Sequence, residues 1–211
     1  DFAHWRDLLE QEHDNLRAAL RWSLAGDRAR DGLRLAAALH WFWDRRGYYT
    51  EGRRWLTAML AAAEEAPGDP DLVEARAHAL LGLAALAFDQ GDAPASAWAA
   101  EESASLYRSL GDRRGLALAR LRLGFASGPA SEAGKAWLAE ALGVAGESAD
   151  NWVLATARLV IGQAALFRGA YGSARLYLER SVPLMREAGD LLVLPRVLST
   201  LGNLHLGIGE M

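Results

Sequence analysis

The stretch Gly128-Pro129-Ala130-Ser131-Glu132-Ala133-Gly134-Lys135-Ala136 carries the glycines and the lysine from which a phosphate-binding loop is built. Such a loop needs four residues between its first glycine and the Gly-Lys pair, a hydroxyl after the lysine to meet magnesium, and a strand in front. Here the spacing is one residue too long, Ala136 has no hydroxyl, and no strand-like run precedes it, so the stretch reads as an inter-helix turn. The histidines His4, His13, His40, His78 and His205 offer imidazoles for metal or acid–base work. No two of them stand at the i, i+3 or i, i+4 spacing that brings two ligands onto one helix face. Glu12-His13-Asp14 sets carboxylates beside an imidazole, but adjacent helical positions point about 100° apart, so no charge relay follows. Ser103 and Ser181 fall at small packing positions, with no nucleophile elbow or acid–base pair nearby. The chain is therefore expected not to be an enzyme and to carry no metal and no cofactor.

The elements that would position these residues follow a period. Glycines at Gly47, Gly91, Gly169 and Gly209 close helical stretches, and seven positions before each stands a compact residue, Ala84, Gly162 or Gly202, with His40 as the bulky exception. A further copy has Gly124 but a damaged turn at Ser127-Gly128-Pro129-Ala130 and is about two residues short, so its first helix is expected to end early. A repeat of roughly 20–50 residues marks an array in which each unit buries its apolar face only by stacking on the next.

Composition agrees with a packed helical protein. Of 211 residues, 51% are hydrophobic, ample for a core. The formal charge of −4 gives no net attraction to nucleic-acid backbones or anionic lipid, so direct nucleic-acid contact and membrane association are excluded as expectations. Lys135 is the single lysine, an arginine bias that fits a GC-rich genome better than phosphate chemistry. The absence of cysteine excludes disulfides and thiolate metal sites and fits an intracellular, cytoplasmic protein. The opening Asp1-Phe2-Ala3-His4-Trp5 is neither a methionine start nor a signal peptide, and Gly202 to Gly209 completes a first helix and turn without a partner helix, so the chain is expected to be a piece of something longer.

Apolar residues at three-and-four spacing, such as Leu33, Ala36, Ala37, His40 and Trp41, predict helix throughout. Asp69-Pro70-Asp71, Gly111-Asp112, Asp150 and Gly189-Asp190 supply the boundaries. Ten helices are expected, at about 2–25, 30–46, 50–65, 71–90, 94–110, 113–127, 131–146, 151–168, 171–188 and 191–208. The corresponding organisation is a leading helix over about 1–28, an N-terminal cap or link to an upstream domain, followed by repeats at about 29–68, 69–111, 112–149, 150–189 and an incomplete 190–211. The fold class is all-α, a superhelical array of antiparallel helix pairs. Gly52, Ser96, Gly134 and Ala174 provide small residues where paired helices cross, and Trp55-Leu56, Trp137-Leu138 and Tyr177-Leu178 fill the joints between repeats. At the second joint Ala99-Ala100 is thinner, with Trp98 nearby to fill it.

The stretches Gly82 to Asp92, Ile161 to Tyr171 and Leu201 to Gly209 resemble tetratricopeptide repeats in a longer, forty-residue bacterial form. Glu12-His13-Asp14-Asn15-Leu16-Arg17-Ala18-Ala19-Leu20-Arg21-Trp22, followed by Gly32 to Leu39 and Glu51 to Leu56, resembles the start of the repeat region in large bacterial ATP-binding regulators of the LuxR-type and MalT-like kind and their antibiotic-regulator relatives. The resemblance implies a sensor or interaction array inside a longer machine, with a nucleotide-binding module upstream and often a DNA-binding domain elsewhere.

In stacked pairs of this type the first helices line the concave side. Their inward positions begin with Arg34, Trp41, Asp44 and Arg45, then His78, Leu81, Phe88 and Asp89. Leu121 and Phe125 follow, then Thr156, Leu159, Gln163, Leu166 and Phe167, and last Arg196, Ser199 and Asn203. Arg34, Trp41, Arg45, His78, Phe88, Phe125, Gln163, Phe167 and Asn203 are the candidate contacts, and Trp41 and Phe125 lead because tiny neighbours leave them room. An apolar, aromatic middle with polar ends suits a protein or peptide partner or a small-molecule effector. Constitutive scaffolding without a ligand is the alternative. The face bearing Leu198, Leu201 and Leu204 is expected to be exposed and to drive self-association.

Overall fold

A computed structural model describes residues 2–26, 28–63, 70–147, 150–189 and 193–207, and the side chains among them except those of 2–4, 6, 70 and 205–207. Every regular element among the described residues is a helix: α1 (Phe2–Gln11), α2 (His13–Ala25), α3 (Ala29–Arg46), α4 (Tyr49–Ala62), α5 (Pro70–Asp89), α6 (Ala93–Leu110), α7 (Arg113–Ala126), α8 (Glu132–Glu147), α9 (Asn151–Phe167), α10 (Tyr171–Glu187) and α11 (Leu194–Gly207). None of them is long and apolar enough to cross a membrane. The chain divides into two compact units, Asp1–Gly111 and Asp112–Met211.

In the first unit α3 pairs with α4 and α5 with α6, while α3 also lies along α5 and α2 packs on α3 and α4. Leu33, Phe42, Leu56 and Met59 are fully buried there. In the second unit α7 pairs with α8 and α9 with α10, and α11 follows on α10. Two core clusters fill it, one around Leu121, Leu138 and Ala157, the other around Leu159, Leu178, Met185 and Leu204.

Local chemistry explains the boundaries. Asp92, Asp112 and Asp150 each accept a backbone N–H of the first turn of the helix they precede: Ala95 at 3.2 Å, Gly115 at 3.0 Å, and Trp152 at 2.9 Å. Gly47, Gly91 and Gly169 adopt φ of 74°, 77° and 71°, the left-handed conformation that lets the chain reverse between paired helices. The expected cap at Asp69, the boundary at Asp190 and the turn at Gly209 lie outside the described residues. The damaged turn of the third copy proves to be an early one: α7 ends at Ala126 and Gly128, four residues after Gly124 where the other copies take seven, adopts φ 84°. Ser131 then starts α8, its Oγ accepting the Gly134 N–H at 2.9 Å.

The expected leading helix over 2–25 is two helices, broken at Glu12, which makes eleven among the described residues rather than ten. No glycine or proline marks the break. The Glu12 N–H still bonds the Leu8 carbonyl at 3.0 Å, and Asn15 Nδ2 donates to the Glu12 side chain at 2.6 Å. The next residue, His13, is buried against Tyr48 and Phe42 at ring-centroid distances of 4.9 and 5.2 Å, a tertiary demand that local propensity does not reveal.

Small residues seat large ones at the crossings. A Cβ on Gly162 would fall 2.7 Å from Leu178 Cγ, and one on Gly124 would fall 2.7 Å from Leu138 Cγ. His40, the exception in the repeat, is matched from outside its own pair: a Cβ on Gly82 of α5 would stand 2.5 Å from the His40 Cβ. Ser96 and Ser103, fully buried, donate to the carbonyls of Ala84 and Ala77, both at 2.8 Å, and so tie α6 to α5. Gly162→Leu is expected to destabilise the second unit by about 1–3 kcal/mol through overpacking. Urea unfolding with an unchanged midpoint would refute the close α9–α10 crossing.

Three packing expectations are corrected. Leu121 and Leu159 are buried in the core clusters, not presented to a groove. Leu204 is fully buried and Leu201 packs against the same cluster, which leaves Leu198, 44% exposed, as the exposed leucine of that face. Trp98 is 56% exposed and does not fill the joint beside Ala99 and Ala100. Helical periodicity locates a face, but the neighbour that covers the face decides burial.

Candidate functional site

Between α3 and α5 lies a cleft of about 540 Å³. Its walls are two stripes at helical spacing: Arg34, Ala37, Ala38 and Trp41 from α3, and Asp71, Glu74, Ala75 and His78 from α5, with His40 beside them. Positions i, i+3, i+4 and i+7 share one face of a helix, so each stripe is a single face turned to its neighbour. At one end Arg34 Nη2 meets Asp71 Oδ2 at 3.0 Å. At the other the His40 and His78 rings stand 6.1 Å apart between centroids, and the His78 and Tyr107 rings lie edge to face with centroids 6.4 Å apart. His40 Nδ1 lies 2.8 Å from the Ala37 carbonyl, a contact that a protonated Nδ1 makes as donor.

Of the nine candidate contacts, Arg34, Trp41 and His78 come together in this cleft. Arg45 is exposed and Phe88 half-buried, and neither lines it. In the second unit Phe125 is half-buried and packs against the first core cluster. Gln163 is half-buried, its Nε2 3.5 Å from Thr200 Oγ1. Phe167, 81% exposed, stands at the end of α9, and Asn203 is exposed on α11. Asp71, Glu74 and His40 were absent from the candidate contacts. The i, i+3, i+7 spacing of Asp71, Glu74 and His78 was the signal that could have found the first two.

The groups with displaced pKa values lie outside the cleft, most of them in the first unit, with Glu132, lowered by its bond to Lys135, in the second. Glu51 of α4 accepts Arg17 Nε at 2.7 Å and Nη2 at 2.6 Å, and Trp55 Nε1 at 3.3 Å, while His13 Nε2 stands 3.3 Å away. The Arg17 guanidinium holds the Glu51 carboxyl below the usual range, more than burial raises it. Tyr48 Oη donates to Glu10 at 2.7 Å, which lowers the Glu10 carboxyl and raises the Tyr48 phenol, and Arg46 Nε pairs with the same carboxylate at 2.6 Å. These contacts fasten α1 and α2 to α3 and α4. In the second unit the buried Arg120 lies over the Trp137 ring at 4.4 Å with Glu140 Oε1 3.0 Å from its Nε.

Among the described residues no group of three or more histidine, cysteine, aspartate or glutamate side chains could hold a metal ion. The cleft instead offers an indole, a guanidinium, two carboxylates and two imidazoles. These recognise a guest by ion pairing, stacking and hydrogen bonding, and carboxylates and imidazoles are equally the groups of acid–base chemistry.

No family model matches the chain. Proteins named as HTH-type transcriptional regulators in Mycobacterium bovis and Mycobacterium tuberculosis are 30% identical over 190 residues, which covers 87% of this chain and 21% of theirs. The chain thus spans about a fifth of the length of the curated relatives it matches. Among solved structures, BtubC from P. vanneervenii superposes with a TM-score of 0.68 at 16% identity, over 95% of this chain and 83% of that one. A Rap protein complexed with competence and sporulation factor gives 0.70 at 14% identity, over 83% and 50% of the two chains. Aspartyl phosphate phosphatase F from Bacillus subtilis gives 0.71 at 13% identity, over 92% and 51%.

These likenesses show a tetratricopeptide-like, all-helical repeat fold, and they lend no support to the narrower resemblance to LuxR-type and MalT-like regulators. They also overturn the exclusion of catalysis: a solved chain with this fold is named a phosphatase, so a helical repeat architecture is no ground for ruling out an enzyme. The chain is a helical repeat protein similar, over most of its own length, to a segment of much longer proteins named as transcriptional regulators.

Proposed function

We propose that this chain is the sensor or interaction array of a longer, ATP-dependent transcriptional regulator of the kind its leading segment resembles, and that it takes a protein or peptide partner in the cleft between α3 and α5. The array comprises repeats near 29–68, 69–111, 112–149, 150–189 and 190–211 behind the leading α1–α2 segment. The observation that carries the proposal is the convergence of Arg34, Trp41 and His78 on one cleft between the first helices of two successive pairs. A guest there touches both helices at once, so its occupancy favours one α3–α5 spacing over another. The resulting bias is limited to the guest's differential affinity for the two spacings. The Rap protein of similar fold is complexed with competence and sporulation factor, which supports a bound guest on such a scaffold.

A peptide array probed with the 211-residue chain and with its Trp41→Ala and Arg34→Ala forms tests this. A set of peptides retained by the parent chain and lost with both variants, at unchanged circular dichroism, is the expected result. A set that both variants retain in full would place binding outside the cleft.

A further inference from the structure

The charge of the cleft is uneven. Arg34 and Asp71 answer one another across 3.0 Å at one end. Glu74, one turn further along α5, is exposed and adds a second carboxylate, and among the described residues Arg34 is the lining's only arginine or lysine. With both histidines neutral the lining carries one net negative charge. An anionic guest would meet two carboxylates in a confined space, and a neutral guest would leave Glu74 unanswered. Next to Glu74 the side chains of Ala37 and Ala75 form a short, nearly buried apolar strip, and Trp41 follows one turn beyond Ala37 and Ala38.

We infer that the cleft takes a basic side chain, an arginine or lysine of the bound peptide, with its charge at Glu74, its alkyl stem along Ala37 and Ala75, and the Trp41 indole as the wall beside it. Arginine and lysine combine an apolar stem with a charged head, which matches an apolar strip that ends at a carboxylate. Indole faces attract guanidinium groups, and this fold already holds such pairs, with Arg28 over Trp22 at 3.9 Å and Arg120 over Trp137 at 4.4 Å. The inference rests on the reading of the cleft as the peptide site and adds the chemistry of what enters it.

The test uses three capped pentapeptides with a central arginine, citrulline or glutamate among alanines, titrated into the 211-residue chain. Nuclear magnetic resonance follows the Trp41 indole, assigned through Trp41→Phe, and the His78 ring. The arginine peptide is expected to shift both signals and to bind about fivefold more tightly than citrulline, its neutral isostere. Glu74→Gln is expected to remove that difference, whereas Glu102→Gln, exposed on α6, leaves it intact. Equal binding of arginine and citrulline, or tighter binding of glutamate, overturns the inference while the cleft remains a peptide site. Silence of both signals toward all three peptides also overturns it. Failure of the cleft reading itself is seen separately, as array peptides that survive Trp41→Ala and Arg34→Ala.

Discussion

Replacing Glu51 by alanine is expected to lower the stability of the first unit by about 2–3 kcal/mol, through loss of a polar centre that three side chains share. The carboxylate is only 16% exposed and receives the two Arg17 bonds and the Trp55 indole, with His13 3.3 Å away. Removing it strands the His13 imidazole, itself nearly buried, and leaves Arg17 with Asp14 as its remaining partner at 3.0 Å. The cost is that of unanswered buried groups rather than of one ion pair, which at the surface would contribute about 0–1 kcal/mol. Because folding lowers the Glu51 pKa from its ordinary 4.5, this contribution is complete above that value. It is lost as pH falls through the depressed folded-state value. Urea unfolding of the parent and of Glu51→Ala should thus differ most at neutral pH, with the gap closing in acid. A gap that widens in acid, or one below about 0.5 kcal/mol at neutral pH, would show that Glu51 does not fasten α2 to α4.

A second large effect separates two glycines of one helix. A Cβ on Gly134 would collide with the Gly128 carbonyl oxygen and lie 2.8 Å from that of Gly124, both backbone atoms that no side-chain rotation can move aside. Gly134→Ala is expected to cost about 2–4 kcal/mol in spite of alanine's better helix propensity. Gly143, two and a half turns further along α8, has nothing within 4 Å of its Cβ position. Gly143→Ala should therefore stabilise by about 0.5–1 kcal/mol, the ordinary gain from removing glycine inside a helix. Thermal unfolding that moves in opposite directions for the two variants is the expected outcome. The same direction for both would mean that the short third turn does not press α7 and α8 together.

Helix, repeat and boundaries were legible in the sequence because their causes are local. Three-and-four spacing, aspartates at Asp112 and Asp150 and glycines at Gly47, Gly91 and Gly169 act within a few residues of where they stand. The short third copy was visible for the same reason. Of the residues that the sequence assigned to the inward faces of α3 and α5, the structure gathers Arg34, Trp41 and His78 along one cleft. The same reasoning set Leu121 and Leu159 in a groove, although both are core.

What tertiary structure alone decided is which face meets which partner. The pairs Arg17 with Glu51, Arg34 with Asp71 and Arg53 with Asp92 join residues 34, 37 and 39 positions apart, about one repeat. A periodic pattern announces that such neighbours exist without saying which side chains they bring. The break at Glu12, the seat for His40 at Gly82 and the burial of Leu204 share that origin. Helical propensity is summed along the chain, whereas burial and ion pairing are settled between helices, where close packing admits one side chain only if its neighbour leaves the space.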